Sequence, residues 1–190
     1  IDSGIPTGAM TLIKTLTASS SGTLSFINGA SSVVLDGTYD SYVFKYYDIH
    51  PATDNADFEF NMTIDGTNWN VTKTTTTFYS YHTEDNSGTP GVTYETGYDL
   101  AQGTGFQYLA ADIGNGNDES ASGELSIYSP SSTTFVKHFL HSGNRYVGSN
   151  ISANDFVSGY GNTTSAVTGI QFKMSSGNID SGVIKMYGIK

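Results

Sequence analysis

The sequence predicts an all-β fold: an antiparallel two-sheet sandwich of jelly-roll type. Three observations carry that expectation. Apolar and polar residues alternate with period two in segment after segment, and Gly, Ser, Asn, Asp and Pro clusters punctuate the chain at sandwich-like spacing. The composition suits pleated, half-buried surfaces, with 13 Tyr, 10 Phe and 22 Gly against few Glu, Lys, Arg or Gln. No run holds a 3.6-residue period for more than two turns, which argues against a βαβ arrangement.

In chain order, residues 1–9 with Pro6 read as a flexible arm, and 10–190 as one β-sandwich domain. Strands are expected at Met10 to Leu16, Thr23 to Ile27 and Ser41 to Ile49. The sharpest alternation is Phe58-Glu59-Phe60-Asn61-Met62-Thr63-Ile64, with its polar residues turned outward. It stops at the turn pair Asp65-Gly66 and resumes at Trp69-Asn70-Val71-Thr72-Lys73, which predicts a hairpin from Phe58 to Lys73. Further strands are expected at Thr76 to His82, Gly105 to Ile113, Gly123 to Tyr128, Thr134 to Leu140, Thr168 to Met174 and Ser181 to Ile189. A helical turn is expected at Asn154 to Ser158, after a capping-like start.

Composition also removes function classes. With no cysteine there is neither disulfide nor thiolate chemistry, which fits assembly in a reducing cytosol. The net charge of −10 and the single arginine, Arg145, disfavour nucleic acid, whose phosphates need Lys and Arg. No apolar run approaches the ~18 residues of a membrane span. The opening IDSGIPTGAM carries neither the basic nor the apolar region of a signal peptide.

No G-x-S-x-G elbow presents a nucleophile. His50, His82, His138 and His141 read as surface or structural residues, the last two on opposite strand faces. Asp57 and Glu59 share a strand face, expected to be the polar outward one, and do not suggest a glycosidase pair. The loop Asp112 to Glu119 gathers oxygen donors in Asp112, Asn115, Asn117, Asp118 and Glu119 and is the candidate calcium site. A solvated turn explains it as well, since the EF-hand spacing is absent. Tyr79 and Tyr81 face one way and are the candidate sugar-stacking pair, whereas Tyr42, Phe44 and Tyr46 read as core or interface packing. The sequons at Asn61, Asn70, Asn150 and Asn162 are expected to be accidental.

Several phrases resemble small structural proteins of tailed phages of marine and aquatic bacteria. They are Gly8 to Lys14, Leu35 to Tyr42, Ile49 to Thr53, Asn178 to Gly182 and Ile184 to Ile189. The resemblance implies a virion protein: a capsid decoration or spike, or a tail-fibre or knob component, with no catalytic residues and no cofactor. It implies packing against copies of itself, with a trimer preferred for a spike or fibre tip, and against other virion proteins. Contact with host surface glycans would follow from display on a particle. A carbohydrate-binding module and a glycan hydrolase or lyase are the competing readings.

Overall fold

The structure, a computed structural model, describes residues 10–190. The arm expected at residues 1–9 lies outside the described residues. Thirteen strands follow: β1 (Thr11–Thr17), β2 (Leu24–Ile27), β3 (Ser41–Pro51), β4 (Ala56–Thr63), β5 (Lys73–Thr83), β6 (Gly91–Tyr94), β7 (Ala101–Gly103), β8 (Gln107–Ile113), β9 (Ala121–Tyr128), β10 (Lys137–Val147), β11 (Ile151–Gly161), β12 (Gly169–Met174) and β13 (Ile179–Ile189). One short 3-10 turn, Thr96–Tyr98, is capped by the Glu95 side chain.

All strand pairs are antiparallel, and they join into one sheet that curls until it nearly closes. The run β1-β13-β3-β9-β10 continues through β11 to β5, which carries β6 and β7 at its edge. The run β8-β4-β12-β2 branches from the same β10 edge that holds β9, through the single pair Val147–Ile113. The all-β antiparallel expectation therefore stands, but the sheets are hydrogen-bonded to each other and not separate.

Aromatic rings fill the space inside the curl. Phe44 of β3 meets Phe26 of β2 at 5.2 Å and Phe172 of β12 at 5.6 Å between centroids. Tyr46 meets Phe58 of β4 at 5.1 Å, and Phe60 meets Phe139 of β10 edge-on at 5.1 Å. Tyr42, Phe44 and Tyr46 are fully buried, as alternation predicts for a core-facing set. Burying rings of this size is the main stabilising term of such a core, worth about 1.5–3 kcal/mol per large apolar side chain.

Three expectations are corrected. The strand at Phe58 and the turn at Asp65-Gly66 exist, and Gly66 takes φ +79°, but β4 does not return as a hairpin. It pairs with β8 and β12, while the chain after Trp69 crosses over to put β5 beside β11. Second, the polar residues of β4 are not on a solvated face. Glu59 is buried and salt-bridged to Lys173 at 3.1 Å, and fully buried Asn61 donates to the carbonyls of Trp69 and Thr104. Third, Asn154 to Ser158 lies inside the extended strand β11 and forms no helical turn.

Candidate functional site

The inner face of the larger run is built from cross-strand rows in which big side chains lie over small ones. One row reads Tyr46, Gly123, Gly143, Asp155, Tyr79 and Thr93 across β3, β9, β10, β11, β5 and β6. The next reads Ala121, Arg145, Ala153, Tyr81 and Gly91. Glycine inside a strand marks a place where another group approaches the backbone closely. A methyl on Gly123 would sit 2.6 Å from the Tyr46 hydroxyl, and one on Gly91 would sit 3.1–3.2 Å from the Tyr81 ring.

These rows hold a polar strip that starts in the core. The Tyr46 hydroxyl and His141 Nε2 share a hydrogen bond of 2.8 Å, and burial pushes the imidazole down to about 3. His141 is therefore neutral at physiological pH. Its Nδ1 has no partner among the described residues. Beyond it, Arg145 Nε donates to Asp155 at 2.8 Å, and both residues are 3% exposed. Burial pushes the Asp155 carboxyl up to about 6, against the pull of the guanidinium. Arg145 Nη1 also donates to the Ala111 carbonyl of β8, tying the two runs together beside their single ladder link. The guanidinium lies 5.3 Å from the centre of the Tyr79 ring, a cation–π contact.

The strip emerges into a concavity lined by residues of β5, β6, β10 and β11 and by the end of β8. Tyr79, Tyr81, Thr93, Arg145 and Asp112 line it, around a volume of about 290 Å³. Asp112 reaches it because β8 bulges. Ile113 opposes Ala56 and Ala110 opposes Phe58, so Ala111 and Asp112 together face Asp57 alone. Asp112 takes φ +50°, its N–H donates to the Asp57 carboxylate at 2.8 Å, and its own carboxylate accepts from the Tyr98 hydroxyl at 3.1 Å. Bulges of this kind re-aim a side chain beside a site. Burial and the nearby Asp112 carboxylate push the Tyr98 phenol up.

The structure thus splits the candidate ion loop. Asp112 turns to the tyrosines, while Asn117, Asp118 and Glu119 border a separate concavity with Asp48, His50 and Asp180. Glu119 folds back to accept from the Gly116 N–H, and Asn115 N–H donates to Asp54 at 3.3 Å. No group of three or more His, Cys, Asp or Glu side chains suited to hold a metal forms among the described residues.

Tyr79 and Tyr81 do come together, 5.8 Å apart at their centroids, but tilted by 47° and not coplanar. Sequence reasoning found that pair and missed its neighbours. Arg145 stood out only as the one arginine, and Asp112 only as a member of the candidate calcium loop. A lone arginine in a strand that alternates is the signal that could have placed the buried pair.

The outer face of the same sheet carries an exposed aromatic and aliphatic patch set among Ser, Thr and Asn side chains. Phe78 and Phe156 stack at 4.9 Å with ring planes 13° apart, and Leu140, Tyr128 and Tyr94 surround them. Phe78 is 42% exposed, Tyr128 41%, Leu140 51% and Tyr94 56%. No protein-family model, curated protein or solved structure matches this chain.

Proposed function

We propose that this chain is a structural β domain of a virus particle, a capsid decoration, spike or tail-fibre component that works by packing against further copies of itself. The observation that carries the reading is the outer face. Among the outward positions of β9, β10, β11 and β5, the one carboxylate is Glu124, and Lys45 neutralises it at 3.2 Å. On a chain of net charge −10, that face is where two copies meet without mutual repulsion. Its aromatic and aliphatic side chains have the make-up of an interface core, and exposed apolar patches of this kind mark association surfaces. The phage-like phrases of the sequence support the same reading.

The curled sheet is, in this proposal, a jelly-roll-like sandwich. The one-pair link at Val147–Ile113 and the facing layers of Phe44 and Phe172 support it.

Light scattering on the purified chain tests the assembly. A homo-oligomer is expected, together with dissociation when Phe78→Ser and Leu140→Ser are combined. A chain that stays monomeric at its highest soluble concentration, and is missing from particles purified from its source, sinks the proposal.

A further inference from the structure

The concavity on the inner face is a second, differently built surface, and we infer that it is a binding site for a neutral saccharide. The inference is independent of the assembly proposal, because it uses the opposite face of the sheet. Three features of the site carry it.

The first is that both rings are held before any ligand arrives. Tyr81 lies against Gly91, its direct partner on β6, so closely that a methyl group there would touch the ring. Tyr79 is held from one side by the Arg145 guanidinium. Rings fixed in this way offer apolar faces to the C–H side of a sugar at little cost in side-chain entropy. Their 47° tilt suits successive units of a curved chain and does not suit a flat ribbon.

The second is an acceptor placed beside the rings. The β8 bulge and the Asp57 carboxylate fix the Asp112 backbone, and the Tyr98 hydroxyl occupies Oδ2. Oδ1 makes no hydrogen bond among the described residues and is not sealed from solvent. A carboxylate held like this accepts hydroxyl protons from a polyol, and Thr93 at the rim adds a hydroxyl of its own.

The third is charge. Arg145 is the cation of the concavity, and Asp155 already neutralises it at 2.8 Å. Asp112, the carboxylate that lines the concavity, then leaves the site negative. A uronate or sulfated sugar would be repelled, and a neutral one would not.

The test is a printed array of neutral, sulfated and uronate glycans, probed with the labelled full chain and with two variants. Binding to one or more neutral glycans is expected, weakened about tenfold or more by Tyr81→Ala and unchanged by Phe78→Ala on the opposite face. Circular dichroism checks that Tyr81→Ala folds, and Gly91→Ala serves as a second disruption, since its methyl displaces the ring without removing it. No neutral glycan above background overturns the inference. So does binding confined to acidic glycans, or neutral binding that survives both cleft variants. Loss of binding in Phe78→Ala alone would place the ligand on the outer face and overturn it too.

Discussion

The Asp57 carboxylate accepts the backbone N–H of Asp112 at 2.8 Å, standing in for the ladder bond that the β8 bulge removes. Burial pushes the Asp57 carboxyl up, and the hydrogen bonds from Asp112 and Ser175 pull it back. The pair is what turns a strand end into a wall of the cleft. Asp57→Ala leaves the Asp112 N–H without its acceptor and is expected to cost about 1–3 kcal/mol. Asp57→Asn keeps a carbonyl oxygen in place and should cost less. Urea denaturation of the two variants checks the order, and equal losses would mean that Asp57 acts only through packing.

Gly123 and Gly143 face each other across β9 and β10, and the Tyr46 hydroxyl crosses above them to reach His141. A methyl on Gly123 would fall 2.6 Å from the Gly143 Cα as well as from that hydroxyl. Gly123→Ala is therefore expected to lose about 1–3 kcal/mol by overpacking. Adding Tyr46→Phe, which removes the crowded oxygen, should recover part of the loss, as a double-mutant cycle in urea would show. Strict additivity would mean that the methyl is crowded by the β10 backbone alone and not by that hydroxyl.

Much of the strand pattern was legible because alternation survives wherever one face is buried. The hairpin failed for a physical reason: β4 is buried on both faces, so its polar residues are internal partners and not solvent markers. Its pairing with β8 and β12 is set by non-local packing that turn chemistry at Asp65 does not encode. β11 was misread in part because Asn154-Asp155 looks like a helix cap, whereas Asp155 is the buried partner of Arg145. The tyrosine pair was legible as two like residues with one position between them. Gly91, which lies against the Tyr81 ring, was not, because a glycine that admits a ring and a glycine that makes a turn look alike in sequence.

His141 predicts a pH dependence. Its folded-state value of about 3 lies below the ordinary 6.5, so the unfolded chain binds more protons between those limits. Stability from this group is complete above pH 6.5 and is lost as pH falls toward 3. Asp155, raised from 3.8 to about 6, acts in the opposite sense and gains stability as pH falls between those values. His141→Gln keeps a hydrogen-bonding partner for Tyr46 and removes the first effect alone. The stability gap between wild type and variant should then narrow by at most about 1.4 kcal/mol per pH unit on acidification. Thermal melts from pH 7 to pH 4 check this against the window of the shift. A constant gap would mean that the imidazole is not buried neutral.

Lys73 supplies the alkaline counterpart. It is fully buried, and its ammonium donates to Asn61 Oδ1 at 2.5 Å and to the Val71 carbonyl at 2.8 Å. Neither acceptor carries a charge, so burial lowers the amine to about 7 from 10.5. The unfolded chain then binds the extra proton between those values, and wild-type stability from this group rises with pH across them. Below pH 7 the folded protein carries the whole cost of a charge buried against neutral oxygens. Lys73→Met fills similar volume without that cost, and Asn61 Oδ1 still accepts from the Met62 N–H at 2.8 Å. The Val71 carbonyl is left without its ammonium, which sets a fixed loss at every pH. Relative to wild type, the variant should therefore do best near pH 6 and lose ground steadily toward pH 9. The expected change is at most about 1.4 kcal/mol per pH unit. Chemical denaturation at the two pH values decides it, and a gap that moves the other way would require a carboxylate partner for Lys73.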